Sequence, residues 1–407
     1  MGNLFIVNPG VTIGADPELF LVKRGKTKEH VIGSETIIKE SLESPFHKGY
    51  GTVVTDGVQV ELHPNGRGSC RQSMVEYLKA CLSALHTEVS KHQDLRVSFD
   101  QMVTVSRKEL MQLSDHAKFL GCKPSLNFYG RESKLVDGLV YRKRSASGHI
   151  HLGSQYIANA AHPVGAVKAD RIVPALDILV GIIGVLLDRD PKSVERRKLY
   201  GRAGEYRLPD HGIEYRTLSN FWLISYPVMS LMMAQAKTAF CLAFTETGTA
   251  DRFKSSLHDL LAKDALNELI NLANLKQVEK AINKNDFDLA YSIYDRAIKP
   301  VMMQTNGDMG LGPNTEAGEG VFNDFEYFIS KPLKEWFPHD PIEHWLNAKG
   351  RDYGWESYAQ RTIRSARLGT PTIVDVPTQD VAVPTAAPPP NGGAVSSGSY
   401  APYIDIS

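Results

Sequence analysis

Four short segments, far apart in this chain, each place acidic, imidazole or guanidinium side chains two residues apart within a β-like run. Residues i and i+2 of a β-strand point to the same face, so each pair shares one face of its strand. One such pair is common in proteins. The four segments are residues 14–18, 60–64, 147–153 and 213–216. Together they predict a sheet whose strands converge on a site for a divalent metal and phosphate.

The order of the four motifs carries a family resemblance. They read GADPE, VELHP, GHIHLG and YGRAGEYR…GIEYRTLSNFW. In this order they resemble the phage-type COOH–NH2 ligases (amidoligases) of the glutamine synthetase and glutamate–cysteine ligase superfamily, over about residues 14–221. The set is specific, whereas HxH or ExR alone is a weak signal. The resemblance implies an ATP-dependent and Mg²⁺-dependent (or Mn²⁺-dependent) carboxylate–amine ligase. Such an enzyme forms an amide or isopeptide bond through an acyl phosphate, as in peptide modification.

The resemblance also implies metal ligands, because the family places the carboxylates of such strands around its ions. Asp16 also fits a turn, since it precedes Pro17. One imidazole of the HxH pair is expected to bind metal or phosphate, and His149 is the first candidate. The number of ions, two or three, is left open. The predicted metal ligands are Glu18, Glu61, His149, Glu214 and Asp16.

Phosphate contacts are expected from the arginines near the fourth motif, because guanidinium groups suit phosphate and carboxylate oxygens. We predict Arg216, Arg207 and Arg202 as catalytic residues. Nucleotide contacts are predicted for Arg144, His151, Arg202 and Arg207. Ion pairs remain the alternative for Arg202 and Arg207, and a solvated surface charge for Arg144.

The pattern along the chain predicts an α/β (α+β) fold with a glutamine synthetase-like, curved antiparallel sheet backed by helices. The expected division is a catalytic core over residues 1–222, a helical continuation over 223–368 and a flexible tail over 369–407. We predict a strand broken at Pro17, a hairpin across Asp56-Gly57 and an amphipathic helix from Met74 to Val89. A strand over residues 95–104 and a long apolar helix over 164–188 follow. Helices are predicted over 223–246, 255–282 and 286–298.

Two segments have low-complexity character. Residues 304–320, QTNGDMGLGPNTEAGEG, are Gly-rich and fit either a lid or a disordered connector. The tail contains PTAAPPPNGGAVSSGS and ends in a peptide richer in aromatic and aliphatic side chains. This composition predicts a disordered segment whose end could bind a protein partner.

Composition excludes several classes of partner. The formal net charge is zero, with 46 basic and 46 acidic residues, so no strong nucleic-acid or anionic-membrane signal is present. The four cysteines lack CxxC spacing, which argues against a disulfide framework or a structural zinc site. No secretion signal or apolar run long enough to span a bilayer is evident. We therefore expect a cytoplasmic protein, in the host cytoplasm if the chain is phage-encoded.

Two other functions stay open at this point. A metal-dependent hydrolase could use the HxH pair, although a site rich in oxygen ligands favours Mg²⁺ or Mn²⁺ over zinc. A non-catalytic virion or scaffold protein could retain the ligase fold and use the tail for attachment. The amine and the carboxylate, each a small molecule or a protein, are not determined by the motifs, and neither is the oligomeric state.

Overall fold

In the computed structural model, Pro17 divides the first β-run of the chain between two antiparallel sheets. Proline has no N–H to donate to a strand ladder, so pairing in the first sheet ends at Ala15. The Pro17 carbonyl oxygen accepts from the Leu62 amide of the second sheet, and the next strand begins at Glu18. The structure describes residues 11–26, 28–45, 47–65, 71–118, 125–131, 140–154, 166–244, 266–300, 325–326, 328–337 and 340–347. All of these belong to one compact unit, Met1–Arg364.

The strands are numbered in chain order. They are β1 (Val11–Ala15), β2 (Glu18–Arg24), β3 (Glu29–Ile32), β4 (Leu42–Glu43), β5 (Gly51–Asp56), β6 (Gln59–Pro64), β7 (Leu95–Ser98), β8 (Met102–Thr104), β9 (Leu126–Asn127), β10 (Lys143–Ser145), β11 (Ile150–Ser154), β12 (Glu205–Arg207) and β13 (Gly212–Tyr215).

The strands of the four motifs lie in two different sheets. Sheet A has the order β1-β11-β13-β12-β9, and its neighbours pair antiparallel. Sheet B has the order β3-β2-β6-β5-β4, with β7 also paired to β2. A separate pair joins β8 to β10. The link from β1 to β2 is therefore a corner where the two sheets meet.

The helices are also numbered in chain order. They are α1 (Arg71–Val89), α2 (Arg107–Gln112), α3 (Asp115–Lys118), α4 (Ala166–Leu176), α5 (Ile182–Leu187), α6 (Lys192–Arg196), α7 (Tyr226–Phe244), α8 (Leu275–Lys284), α9 (Phe287–Ile293), α10 (Leu333–Trp336) and α11 (Pro341–Asn347). A π turn, Asp177–Gly181, joins α4 to α5, and a second one, Tyr294–Ile298, follows α9. Short 3₁₀ turns occupy Ser34–Thr36 and Asn220–Ile224. Residues 266–273 are also helical.

One face of each main sheet is covered by helices. Helix α7 packs against β1 and β11, and α4 packs against α7 and β13. Helix α1 packs against β5 and β6. On sheet A, the side chains facing the helices are fully buried, including Ile150, Leu152, Ile213 and Tyr215. Because side chains alternate along a strand, the residues between them lie on the opposite face.

The expected mixed fold, with antiparallel sheets backed by helices, is confirmed. Most of the predicted elements are present, including the α1 helix and the long apolar helix, which appears as α4, the π turn and α5. Three predictions were wrong in detail. The helix expected over 255–282 is, within the described residues, two helices over 266–273 and Leu275–Lys284 that are separated at Asn274. The hairpin turns at Gly57 and Val58 rather than at Asp56-Gly57, because Asp56 pairs with Gln59 and Gly57 takes the left-handed conformation, φ +59°. The predicted strand over 95–104 is two strands that join different partners.

Two expectations lie outside the described residues: the glycine-rich segment 304–320 and the tail 369–407. The division at residue 222 stays a prediction. Within the described residues, none of the helices combines the length and apolar character needed to cross a membrane.

Candidate metal and phosphate site

Strand register aligns the predicted site residues on the face of sheet A opposite the helices. His151 pairs with Gly14 on one side and with Glu214 on the other, and Glu214 pairs with Arg207. These residues form one row across four strands. A second row, two residues along, contains His149 and Arg216. Residues directly opposite on one face have Cβ atoms about 5 Å apart, so the side chains of each row interact.

Asp16 completes this group from the corner between the sheets. It lies two residues beyond Gly14, so the direction of β1 continues it toward His149. Its Oδ1 atom is 3.2 Å from Nδ1 of His149, and its Oδ2 atom is 3.1 Å from Nε2 of His151. Glu214 Oε1 lies 3.3 Å from the same His149 Nδ1. We call Asp16, His149, His151 and Glu214 the imidazole–carboxylate cluster.

The facing atoms of this cluster lack hydrogen bonds. Asp16 Oδ1, His149 Nδ1, His151 Nε2 and Glu214 Oε1 are buried, and no partner among the described residues meets hydrogen-bond geometry with them. His149 and Glu214 are 4% and 5% exposed, so water does not readily replace the missing partners. The ion-pair contacts among these atoms leave their hydrogen-bonding capacity unused, and buried polar groups in that state are destabilising unless something else binds them. The arrangement fits a bound cation.

The donor set also fits a divalent metal. One ligand atom each from Asp16, His151 and Glu214 lies within 4.8 Å of the others. Carboxylate oxygen and imidazole nitrogen are ordinary ligands of divalent ions. His151 is one of these three residues, whereas the expected ligand His149 is not, although its Nδ1 atom lies close to both carboxylates. Asp16 contacts both imidazoles.

The charges of the cluster are coupled. Burial by itself would raise the pKa of Asp16, but the charges of His151 and His149 outweigh it and hold that pKa well below its usual range. Burial lowers the pKa of His149 against the opposing charge of Asp16, which favours the neutral ring that binds metals. For His151, burial acts downward, yet the charges of Asp16 and Glu214 leave its pKa raised.

A second acidic pair lies beside the cluster on sheet B. Glu18 and Glu61 are directly opposite each other on β2 and β6. Glu18 is held in place because the Ser147 amide donates to its Oε2 atom at 2.7 Å. Burial, followed by the charges of Asp56 and Glu61, raises the pKa of Glu18 well above its usual range. Like charges opposite each other are destabilising, so this oxygen-only pair also fits a cation.

Two guanidinium groups border the imidazole–carboxylate cluster. Arg216 is fully buried, and its Nε lies 3.1 Å from Glu214 Oε1 while its Nη1 donates to the Ser125 hydroxyl at 3.0 Å. Arg207 is partly exposed and lies 3.8 Å from Glu214 Oε2. The cluster therefore combines cation ligands with two fixed positive charges, which suits an anionic ligand bound together with a metal.

Two of the predicted arginines face elsewhere. The Arg144 guanidinium donates to the carbonyl oxygens of Tyr141 and Lys118. That of Arg202 donates to the carbonyl oxygens of Arg197 and Lys198. These contacts hold loops together and lie outside the cluster, so the structure gives no support to the nucleotide and catalytic roles we predicted for the two residues.

Sequence reasoning missed two neighbours of the histidines. The Tyr200 hydroxyl is 2.6 Å from His149 Nε2, and His211 Nε2 is 3.1 Å from His151 Nδ1. Tyr200 stood inside the YGRAGEYR motif, and His211 lies three residues before Glu214. Proximity to the motif was a signal for both, but nothing in the spacing tied either ring to a particular histidine.

The middle of the chain is similar to a known protein family. The model of the family "Phage phiEco32-like COOH.NH2 ligase-type 2" matches residues 135–282. The middle of this chain matches the phage-type amidoligases. This confirms the resemblance inferred from the motifs, and it supports a carboxylate–amine ligase enzyme. No curated protein matches the chain.

The amidoligase match covers most of the cluster. His149, His151, Arg207, Glu214 and Arg216 all lie within residues 135–282. Asp16 and the Glu18–Glu61 pair come from the N-terminal strands outside the matched region. The structure thus joins the matched segment to acidic groups that the match alone does not include.

Proposed function

We propose that this chain is an ATP-dependent carboxylate–amine ligase whose site is the imidazole–carboxylate cluster and its two arginines. The observation that carries the proposal is the meeting of four buried ligand atoms, which make no hydrogen bond among the described residues, with two guanidinium groups on one face of sheet A. A phosphoryl-transfer site needs cations that neutralise phosphate oxygens and groups that position them. A hydrolase using the HxH pair has no comparable need for the arginines.

The proposed metals differ between the two acidic groups. Glu18 and Glu61 offer only oxygen, which suits Mg²⁺. The cluster of Asp16, His149, His151 and Glu214 adds imidazole nitrogen, which first-row transition metals bind more readily than Mg²⁺ does. A bound divalent ion would neutralise negative charge on the phosphate oxygens of ATP. Whether one ion or more is held, the residues named here are the proposed ligands.

The proposed reaction has two steps. A carboxylate oxygen of the first substrate attacks the γ-phosphorus of ATP, and ADP leaves, giving an acyl phosphate. The amine then attacks the acyl carbon, loses a proton and displaces phosphate, which forms the amide or isopeptide bond. Arg216 and Arg207 are proposed to hold the transferred phosphoryl group, since a fixed guanidinium stabilises developing charge without reorganising. The buried position of Arg216 makes it the more rigid of the two.

The substrates and partners are part of the proposal. They are ATP, a carboxylate and an amine, each a small molecule or a protein, and a protein partner for the tail. A cytoplasmic location, in the host if the chain is phage-encoded, is likewise proposed.

The test is thermal stabilisation by ATP with MgCl₂ or MnCl₂. A ligand at 100 times its Kd stabilises a protein by about 2.7 kcal/mol, which gives a measurable rise in Tm. Glu214→Ala and Arg216→Ala should lose this rise. Arg96→Ala and Glu29→Ala are matched controls, because they remove an exposed Arg–Glu pair outside the cluster and should retain it.

Two results would count against the proposal. If ATP with either metal does not raise the Tm of the wild-type protein, the protein does not bind ATP as proposed. If the Tm of Glu214→Ala rises as much as that of the wild-type protein, the nucleotide binds somewhere other than the proposed site. A positive result leads to screening of carboxylates and amines for phosphate release that requires both.

A further inference from the structure

The two histidines of the cluster turn opposite ring nitrogens toward the same carboxylate. His149 presents Nδ1 to Asp16 Oδ1 at 3.2 Å, whereas His151 presents Nε2 to Asp16 Oδ2 at 3.1 Å. Neither of these ring atoms makes a hydrogen bond with the described residues. Both rings project from the same face of one short chain segment, so their different orientations need a local cause.

The second nitrogen of each ring has its own partner. His149 Nε2 lies 2.6 Å from the hydroxyl of Tyr200. His151 Nδ1 lies 3.1 Å from Nε2 of His211, a residue in the turn before β13. The Tyr200 ring is itself fixed, with the guanidinium carbons of Arg216 and Arg196 at 5.0 and 5.4 Å from its centre. Each histidine is therefore held from outside the cluster at the nitrogen that faces away from Asp16.

We propose that Tyr200 and His211 are positioning residues that fix His149 and His151 in opposite tautomers, so that divalent transition metal binds His149 through Nδ1 and His151 through Nε2. Asp16 and Glu214 supply the oxygen ligands. The inference rests on the proposed metal site and is independent of the reaction that the site performs.

The proton positions follow from the chemistry of imidazole. A neutral ring carries one N–H and one lone pair, and only the lone pair binds a metal. Binding through Nδ1 requires the proton of His149 on Nε2, where it is donated to the Tyr200 oxygen. Binding through Nε2 requires the proton of His151 on Nδ1, where it is donated to His211 Nε2. Outer partners of this kind fix ring orientation in metal sites, and losing one weakens metal binding by about 10-fold to 100-fold.

The experiment uses the full-length protein, stripped of metal and titrated with Co²⁺ alone, without nucleotide. Visible absorption reports the affinity, and the proton NMR spectrum of the Co²⁺ form reports which nitrogen is bound. A ring bound through Nδ1 has two hydrogens not adjacent to the bound nitrogen, on Nε2 and Cδ2. A ring bound through Nε2 has one, on Nδ1. We expect three narrow, shifted ring resonances, of which the two N–H signals disappear in D₂O.

Variants identify the positioning residues. Tyr200→Phe keeps the ring between its two arginines and removes only the hydroxyl, so it should fold, bind Co²⁺ about 10-fold more weakly and lose the slow exchange of the His149 N–H signal. Tyr294→Phe is the matched control, since the Tyr294 hydroxyl donates to Glu326 outside the cluster. His211→Ala should weaken binding similarly. His211→Gln, which can place an acceptor where Nε2 was, should restore it.

The outcomes separate this inference from the proposed function. A wild-type protein that binds no Co²⁺ overturns both the metal site and the inference. A wild-type protein that binds Co²⁺ with two N–H signals, while Tyr200→Phe and His211→Ala bind it equally well, overturns the inference and leaves the metal site standing. Loss in His211→Ala without recovery in His211→Gln would refute the hydrogen-bonding role of His211.

Discussion

Replacing Asp177 by Asn should flatten the pH dependence of this protein's stability between about pH 4 and about pH 7. Asp177 begins the π turn behind sheet A and is fully buried. Its Oδ1 atom accepts from the Tyr215 hydroxyl at 2.7 Å and from the Gly204 amide at 3.1 Å. Tyr215 is the last residue of β13 and lies between Glu214 and Arg216, so this carboxyl supports the position of both.

The magnitude follows from the burial of the carboxyl. Burial, opposed by the hydrogen bonds from Tyr215 and Gly204, raises the pKa of Asp177 from 3.8 to about 7. The unfolded chain therefore loses this proton first, so stability falls as pH rises through this window and is level above it. The change corresponds to about 4 kcal/mol, since a tenfold change in proton affinity is about 1.4 kcal/mol. Asn keeps the acceptor oxygen and does not ionise.

The assay is urea unfolding, followed by tryptophan fluorescence, at intervals from about pH 4 to about pH 9. Asp177→Asn should match the wild-type protein at the acid end and exceed its stability by up to about 4 kcal/mol at pH 8. Asp170→Asn, which alters an exposed carboxyl on helix α4 just before the π turn, should follow the wild-type curve. Parallel curves for wild type and Asp177→Asn would refute the reasoning, because the carboxyl would then ionise equally in both states.

Two further substitutions test the metal pair and the close approach of the backbone. Glu18→Gln keeps an acceptor for the Ser147 amide but removes one of two facing charges, so the metal-free protein should have a higher Tm at pH 8. The rise in Tm on adding MgCl₂ should be smaller than in the wild-type protein. An unchanged rise would show that Glu18 is not a metal ligand. Gly148→Ala would place Cβ 2.4 Å from both the Ser219 oxygen and Trp222 Nε1, so we expect a loss of roughly 2 kcal/mol in urea unfolding, and an unaltered midpoint would contradict this packing.

The sequence alone determined the elements and the face on which the polar residues lie. The pairs His149/His151 and Glu214/Arg216 could be read from the sequence because side-chain direction along a strand depends only on its two-residue period. The pair Asp16/Glu18 could not, because Pro17 ends one strand and the next begins in the other sheet. The amphipathic α1 helix was equally legible from its local spacing. Such properties are set by neighbouring residues, so no knowledge of distant contacts was needed.

The tertiary structure decided how those elements meet. The division into two sheets, the central position of Asp16 and the burial of Arg144 against the Lys118 carbonyl oxygen depend on pairings between residues far apart in the chain. So does the choice of ring nitrogen in each histidine, which is set by Tyr200 and His211. A two-residue pattern predicts which face of a strand a side chain lies on, but it does not predict which residue of another strand lies beside it. Strand register and side-chain partners arise only when separate segments pack together.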